Sequence, residues 1–298
     1  MRDWLMTHFP VTRRYRWRAR PPFLVPRDLG ISLLVPFRSD HERRQQTWDW
    51  LRRYWEHELP HAEIVMGTDN SFPFCKTAAI NEAAGRAGGD IFVILDADCY
   101  IRGKVVQRCA DKIRAARRRG QRLWFIPYRM FFRLTDEASR VVLDSDPAHP
   151  VRFPAEPQAS AIENASTSVR SHWYGALISV LPVEAFYMAG MADTRFAGWG
   201  GEDVAFMHAC DTLYARHRAS ANEVFHLWHP HIGTLNVDRE WAGQDGPNAN
   251  GRLTVRYARA RGDRAKMAAL VSEPGNPGRH HRPPHHHHHR PPPPPWSP

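Results

Sequence analysis

An α/β fold, with an open, mixed and mostly parallel sheet flanked by helices, is predicted by three observations on the 298 residues. Short continuous apolar runs occur at 31–35 and 91–95, of the length and composition of buried strands. Between and after them lie segments whose apolar residues return at helical spacing. Strands and helices that alternate in this way need right-handed crossovers, and crossovers of that hand build a mainly parallel sheet.

The elements follow in order. Residues 1–28 mix Arg, Trp and Pro without a stable period and are expected to form an N-terminal arm. The folded part opens with a strand at 31–35. Ser39-x-x-Glu42 has the form of a capping box, and it precedes a helix with Trp48, Leu51, Trp55 and Leu59 on one face. A strand at 63–66, an Ala-rich helix at 76–87, the strand at 91–95, a helix at 105–119 and a strand at 123–128 complete a first lobe, 29–130. Arg117, Arg118 and Arg119 close the second of those helices, where cations complement the dipole. The second lobe of the same domain, 131–271, starts irregularly. Its 147–158 stretch is a Pro-rich loop, and the chain to 170 is small and polar. A strand at 172–180, a short helix at 183–188, a helix at 202–216 that starts at the Gly200-Gly201 turn, a strand at 222–228 and a last helix at 253–270 follow. Pro and His dominate 272–298, from which no core can be built, so a disordered tail is expected.

The chain is long enough to bury a substantial core. No apolar run is long enough to span a bilayer, and the Arg-rich start lacks the apolar segment and cleavage site of a secretory signal. A soluble, cytoplasmic protein with no transmembrane segment is expected. Cys75, Cys99, Cys109 and Cys210 are scattered without a C-x-x-C pair, which argues for reduced, buried thiols rather than a zinc site or a disulfide framework. The formal charge of +10 would attract polyanions, but it is spread over separate stretches rather than one stripe interleaved with aromatics. Specific nucleic-acid binding is therefore disfavoured.

Two acidic motifs carry the chemistry. Asp96-Ala97-Asp98 follows the apolar run 91–95, so two carboxylates arrive where a buried strand breaks into a loop. Such a pair repels itself unless a cation offsets it. Hard anionic oxygens at the C-terminal edge of an open α/β sheet suit a metal-bound diphosphate. The second motif is Gly198-Trp199-Gly200-Gly201-Glu202-Asp203. Its glycines let the backbone approach a ligand, Trp199 can cover a sugar face, and Glu202 and Asp203 lie in a first helical turn. His226 ends a β-prone run, with His229 and His231 as alternatives. Imidazole ligands suit manganese better than magnesium.

Taken in order, Pro36-Phe37-Arg38, Asp69, Lys76 with Asn81, Asp96-Ala97-Asp98, Gly198 to Asp203 and the strand that ends at His226 to His229 resemble the nucleotide-sugar-dependent glycosyltransferases of the GT-A fold, a Rossmann-like architecture. The second motif resembles the W-G-G-E-D of inverting β-galactosyltransferases and chondroitin-type enzymes, with the polypeptide N-acetylgalactosaminyltransferases as more distant relatives. The resemblance implies that the first lobe binds a UDP-sugar. Pro36, Phe37, Arg38 and Asp69 would frame the base, and Arg38 or Lys76 would pair with the diphosphate. Lys76, Asn81, Asp96, Ala97 and Asp98 complete the donor contacts it implies.

Asp98 would bind Mn2+ or Mg2+, with Asp96 on the ribose or in the metal's water shell, and His226 or His229 would complete the coordination. Trp199, Gly200, Gly201 and Glu202 would hold the acceptor, a glycan or a protein, and Asp203 would be the general base, which implies inversion. Gly190-Met191-Ala192-Asp193 departs from the related G-G-F-D pattern. The missing membrane anchor suggests a bacterial or phage setting. Three other readings stay open: a retaining N-acetylgalactosaminyl- or glucosyl-type transferase, a nucleotidyltransferase, and a basic nucleic-acid-binding protein on an inactive transferase scaffold.

Overall fold

The computed structural model describes residues 30–156, 159–167, 178–198, 200–230 and 249–273. The N-terminal arm, residues 172–177, Trp199, His231 and nearly all of the Pro/His-rich tail lie outside the described residues.

The continuous apolar runs become the centre of an α/β sheet. β1 (Ile31–Pro36) is buried along its whole length, and β3 (Ile91–Leu95) likewise. β1 pairs in parallel with both β3 and β2 (Glu63–Gly67). Beyond β3 the sheet turns antiparallel at β8 (Ile178–Pro182), which also pairs antiparallel with β5 (Phe125–Ile126). β5 pairs in parallel with β9 (Arg218–Ala219), so the order is β2-β1-β3-β8-β5-β9. The sheet is thus mixed and mostly parallel, flanked by helices, as the sequence predicts. Strands from both sides of residue 130 interleave in it.

A second, smaller sheet has the order β4-β10-β6-β7, from β4 (Cys99–Tyr100), β10 (Glu223–His226), β6 (Met130–Leu134) and β7 (Ile162–Thr167). Within the small, polar stretch that leads to residue 170, residues 162–167 form a strand the sequence did not signal, β7, which pairs antiparallel with β6. The small sheet is fixed to α1 (Glu42–Glu58) through aromatic rings. Trp50 stacks on Tyr54 at 5.5 Å, Tyr54 meets Tyr100 edge-on at 5.4 Å, and Phe225 stacks on Tyr100 at 5.7 Å and on Phe132 at 5.6 Å. Each such ring pair adds about 0.5–1.5 kcal/mol beyond the area it buries.

Three boundaries also differ from expectation. The N-cap of α1 is His41, whose Nδ1 accepts from the Arg43 amide at 3.0 Å, so Ser39 is not the capping residue. The strand expected at 123–128 narrows to β5, although Trp124 and Tyr128 stay buried beside it. The expected last helix is two helices, α7 (Ala249–Ala260) and α8 (Arg264–Val271), broken at Gly262, whose φ of +78° no helix continues. The remaining helices are α2 (Lys76–Arg86), α3 (Gly103–Arg118), α4 (Asp136–Leu143), α5 (Val183–Met188) and α6 (Glu202–Leu213). All four cysteines are buried. Among the described residues no helix is long and apolar enough to cross a membrane.

A buried ion network fixes the N-terminal end of β3 to α3 and α5. Asp90 accepts from Arg114 at 2.7 Å and from Arg117 at 2.9 Å, and Arg117 reaches Glu184 at 2.7 Å. Removing the shared carboxylate takes a buried counter-charge away from both guanidinium groups, of which Arg117 keeps Glu184. Asp90→Ala is expected to cost about 3–5 kcal/mol, read as a lowered urea midpoint.

Candidate functional site

The turn between β3 and β4 carries the first acidic motif, closed by the Cys99 amide donating to Asp96 O at 3.3 Å. Antiparallel pairing sets Cys99 opposite His226, and the Leu227 amide donates to Asp98 O at 2.7 Å. The backbone therefore delivers His226 to Asp98 before any side chain is considered. The following turn is held by the Trp228 amide, which donates to Ser139 Oγ at 2.7 Å, and it brings His229 to the other side of the same carboxylate.

His226 Nε2 lies 3.4 Å from Asp98 Oδ1, and His229 Nε2 lies 3.2 Å from Asp98 Oδ2. One donor atom from each of the three residues falls within 4.8 Å of the others, a spacing that could hold a metal ion. His229 Nδ1 donates to Pro230 O at 2.9 Å, an outer contact of the kind that fixes a ligating ring and frees its other nitrogen. Burial pushes His226 down to about 4, so its imidazole is neutral and able to ligate. Burial opposes the charge on Asp98, but the two imidazoles and Arg44 outweigh it and hold the carboxyl below the usual range. His229 is pushed down by burial and pulled up further by Asp98.

Among the described residues Asp98 Oδ1 has no hydrogen-bond donor, a costly state for a buried anionic oxygen that a coordinated cation would relieve. The residues fit the metal expected of them. Two imidazoles and one carboxylate suit Mn2+ better than Mg2+, which prefers oxygen and water.

The second acidic motif arrives beside the first. Lys76, at the start of α2, places Nζ 2.7 Å from Asp96 Oδ1 and 3.3 Å from Glu202 Oε1. Burial alone would lower Lys76, but Asp96, Glu202 and Asp203 hold it well above the ordinary value, so it stays cationic. Burial raises Asp96 to about 7 against the pull of Lys76, with Asp98 and Asp203 adding to the rise. Asp203 is raised to about 6 by burial and by Glu202, with Lys76 opposing, and its Oδ1 accepts from the Val204 amide at 2.8 Å. A carboxylate that titrates near 6 is ionised at neutral pH and still basic enough to take a proton.

The glycine segment before α6 is supported from below. Asp193 is buried, accepts from Tyr257 Oη at 2.7 Å, and pairs with Arg195 at 2.6 Å. Arg195 also reaches Glu273 at 2.6 Å and Leu270 O at 3.0 Å, which ties the segment to α8. Gly198, Gly200 and Gly201 all have positive φ. Gly201, the N-cap of α6, has φ +90°, and a Cβ there would stand 2.1 Å from Thr254 Oγ1. Gly201→Ala is therefore expected to cost about 1–3 kcal/mol and to displace Glu202 and Asp203, seen as a lower melting temperature together with lost activity.

The predicted donor residues divide. Asp96, Asp98 and Lys76 come together with His226, His229 and Glu202, and Asp203 stands close enough to perturb Lys76 and Asp96. Arg38 donates to Ser71 O at 2.8 Å, with its guanidinium over the Phe74 ring at 5.0 Å. Asp69 accepts from the Ser71 amide at 3.0 Å and the Cys75 amide at 3.1 Å, so it shapes the loop between β2 and α2. Phe37 is buried against Trp48 at 5.9 Å, and Pro36 and Ala97 are buried too. Asn81 binds the Ala192 backbone through both halves of its amide, at 2.8 and 3.0 Å, which makes it a brace between α2 and the Gly190–Asp193 turn. Sequence reasoning missed the Asp193, Arg195 and Tyr257 support and the charge of Arg44 near Asp98. The acid-base pairing of Asp193 with Arg195 two residues on was the only trace of the former.

No family model and no curated protein matches the chain. Solved structures do align with it, and three of them are the following. The catalytic domain of Drosophila β1,4-galactosyltransferase 7 in complex with xylobiose is 13% identical with a TM-score of 0.36, over 65% of this chain and 67% of that one. TarS of S. aureus is 11% identical at 0.38, and the match spans 78% of this chain but only 43% of TarS. The mannosyltransferase PcManGT from Pyrobaculum calidifontis, in complex with GDP-Man and Mn2+, is 13% identical at 0.37, over 90% and 84% of the two chains. Alignments this loose assign neither a family nor an activity to the chain.

Proposed function

We propose that the chain is a metal-dependent glycosyltransferase of the GT-A type that moves a sugar from a UDP-sugar to an acceptor hydroxyl on a glycan or protein, with inversion. The observation that carries this reading is the convergence of two motifs from distant parts of the sequence. Asp98, His226 and His229 form a cation-competent cluster, and Lys76 joins the neighbouring Asp96 to Glu202, the residue before Asp203.

Asp98, His226 and His229 would hold the cation, with Asp96 in its outer shell. A bound divalent ion supplies Lewis-acid stabilisation of the charge that builds on a leaving diphosphate. Glu202 would orient the acceptor hydroxyl through a hydrogen bond. Asp203 would take the hydroxyl proton as the acceptor oxygen bonds to the anomeric carbon and the bond to the diphosphate breaks. A base opposite the leaving group gives inversion.

The test incubates the purified protein with single nucleotide sugars and Mn2+, with and without chelator, and measures nucleoside diphosphate release. Release that depends on Mn2+ and prefers UDP-sugars supports the reading, and the anomer of the product reports inversion or retention. Pyrophosphate release instead would identify a nucleotidyltransferase. Tight, salt-sensitive nucleic-acid binding with no response to UDP and Mn2+ would identify an inactive scaffold.

A further inference from the structure

Among the described residues, Lys76 is the side chain whose ion pairs join the two acidic motifs, at 2.7 Å to Asp96 and 3.3 Å to Glu202. Asp96 sits on the turn that carries Asp98, and Glu202 opens α6 beside Asp203. The base of Lys76 is fixed as well. One residue before it, the Cys75 thiol donates to Phe196 O at 3.4 Å, and one turn after it Asn81 grips Ala192. The helix that carries Lys76 is thereby docked on the segment that leads to Glu202. Without the ammonium group, Asp96, Glu202 and Asp203 would face one another as like charges.

We propose that Lys76 is a positioning residue that couples the donor half of the site to the acceptor half, holding Glu202 in register with the cation ligands. This rests on the transferase reading above. It differs from a role as diphosphate ligand in what its loss disturbs. A lost diphosphate ligand lowers transfer and donor hydrolysis in step, whereas a lost coupler lowers acceptor use further than donor use.

The experiment is a double-mutant cycle of Lys76→Met and Glu202→Gln, read first on metal-free protein by urea midpoint. The expected result is non-additive, with the double variant unfolding no earlier than the worse single variant. Lys76→Met should lower transfer to the best acceptor of a p-nitrophenyl glycoside panel about tenfold more than it lowers donor hydrolysis, through a raised KM for the acceptor. Lys76→Arg keeps the charge and should recover part of the transfer, and it replaces the Met variant if that one fails to fold. Additive midpoints overturn the proposal, and so does hydrolysis that falls in step with transfer. A wild-type protein that releases no nucleoside diphosphate from any nucleotide sugar removes the transferase reading and this role together. An active wild type with an additive cycle removes this role alone.

Discussion

Asp98→Ala is expected to abolish both sugar transfer and donor hydrolysis, with Mn2+ no longer binding with measurable affinity at the cluster. Asp98 is the shared partner of His226 and His229 and the anionic member of the group, so its loss removes the charge that makes the site attractive to a cation. Lewis-acid stabilisation of a leaving group is worth several kcal/mol, which at about 1.4 kcal/mol per decade is a thousandfold or more in rate. The fold should survive, because the bond from the Leu227 amide goes to the backbone carbonyl of Asp98 and not to its carboxylate. Nucleoside diphosphate release and Mn2+ calorimetry check this. Normal turnover in the variant would remove the metal mechanism.

Asp203→Asn is expected to lose about a hundred- to ten-thousandfold in transfer, the usual contribution of a general base, while donor binding stays. Its companion is a pH profile. Asp203 is raised by burial and by Glu202 to about 6, and only the ionised form can accept the hydroxyl proton. The wild-type rate should therefore fall as pH drops through about 6, and the variant should lack that limb. A variant that keeps the limb would assign the proton transfer to another group.

The parts of the fold that the sequence displayed best are those where one physical rule dominates. β1 and β3 are buried on both faces, so their apolar runs cannot be mistaken for half-exposed strands. The small sheet was hidden for the opposite reason. β6 mixes buried and half-buried positions, β4 is two residues long, and β7 gains its place by pairing with β6 rather than by its own pattern. The true cap of α1 escaped because a histidine nitrogen, outside the preferred capping residues, takes the orphan amide.

At the site, the acidic motifs were visible as residue types at a strand end and at a glycine turn. What spacing could not decide was which histidine would reach Asp98. The pairing of β10 with β4 brings His226 to it, and the following turn, pinned by Ser139, brings His229. Nor could composition separate residues that would face a ligand from residues that brace a loop, since Asn81 and Asp69 have the polarity of either.

The pairing of β4 with β10 has a consequence for how the protein comes into being. Asp98 leaves the ribosome well before His226, and a nascent chain that has not yet released β10 presents the carboxylate with neither imidazole. Contacts between such distant positions form late, after the loop between them has been closed. Cation capture at the proposed site would therefore wait until β10 has been released, and a chain truncated before β10 would lack both imidazoles however well its first strands have folded.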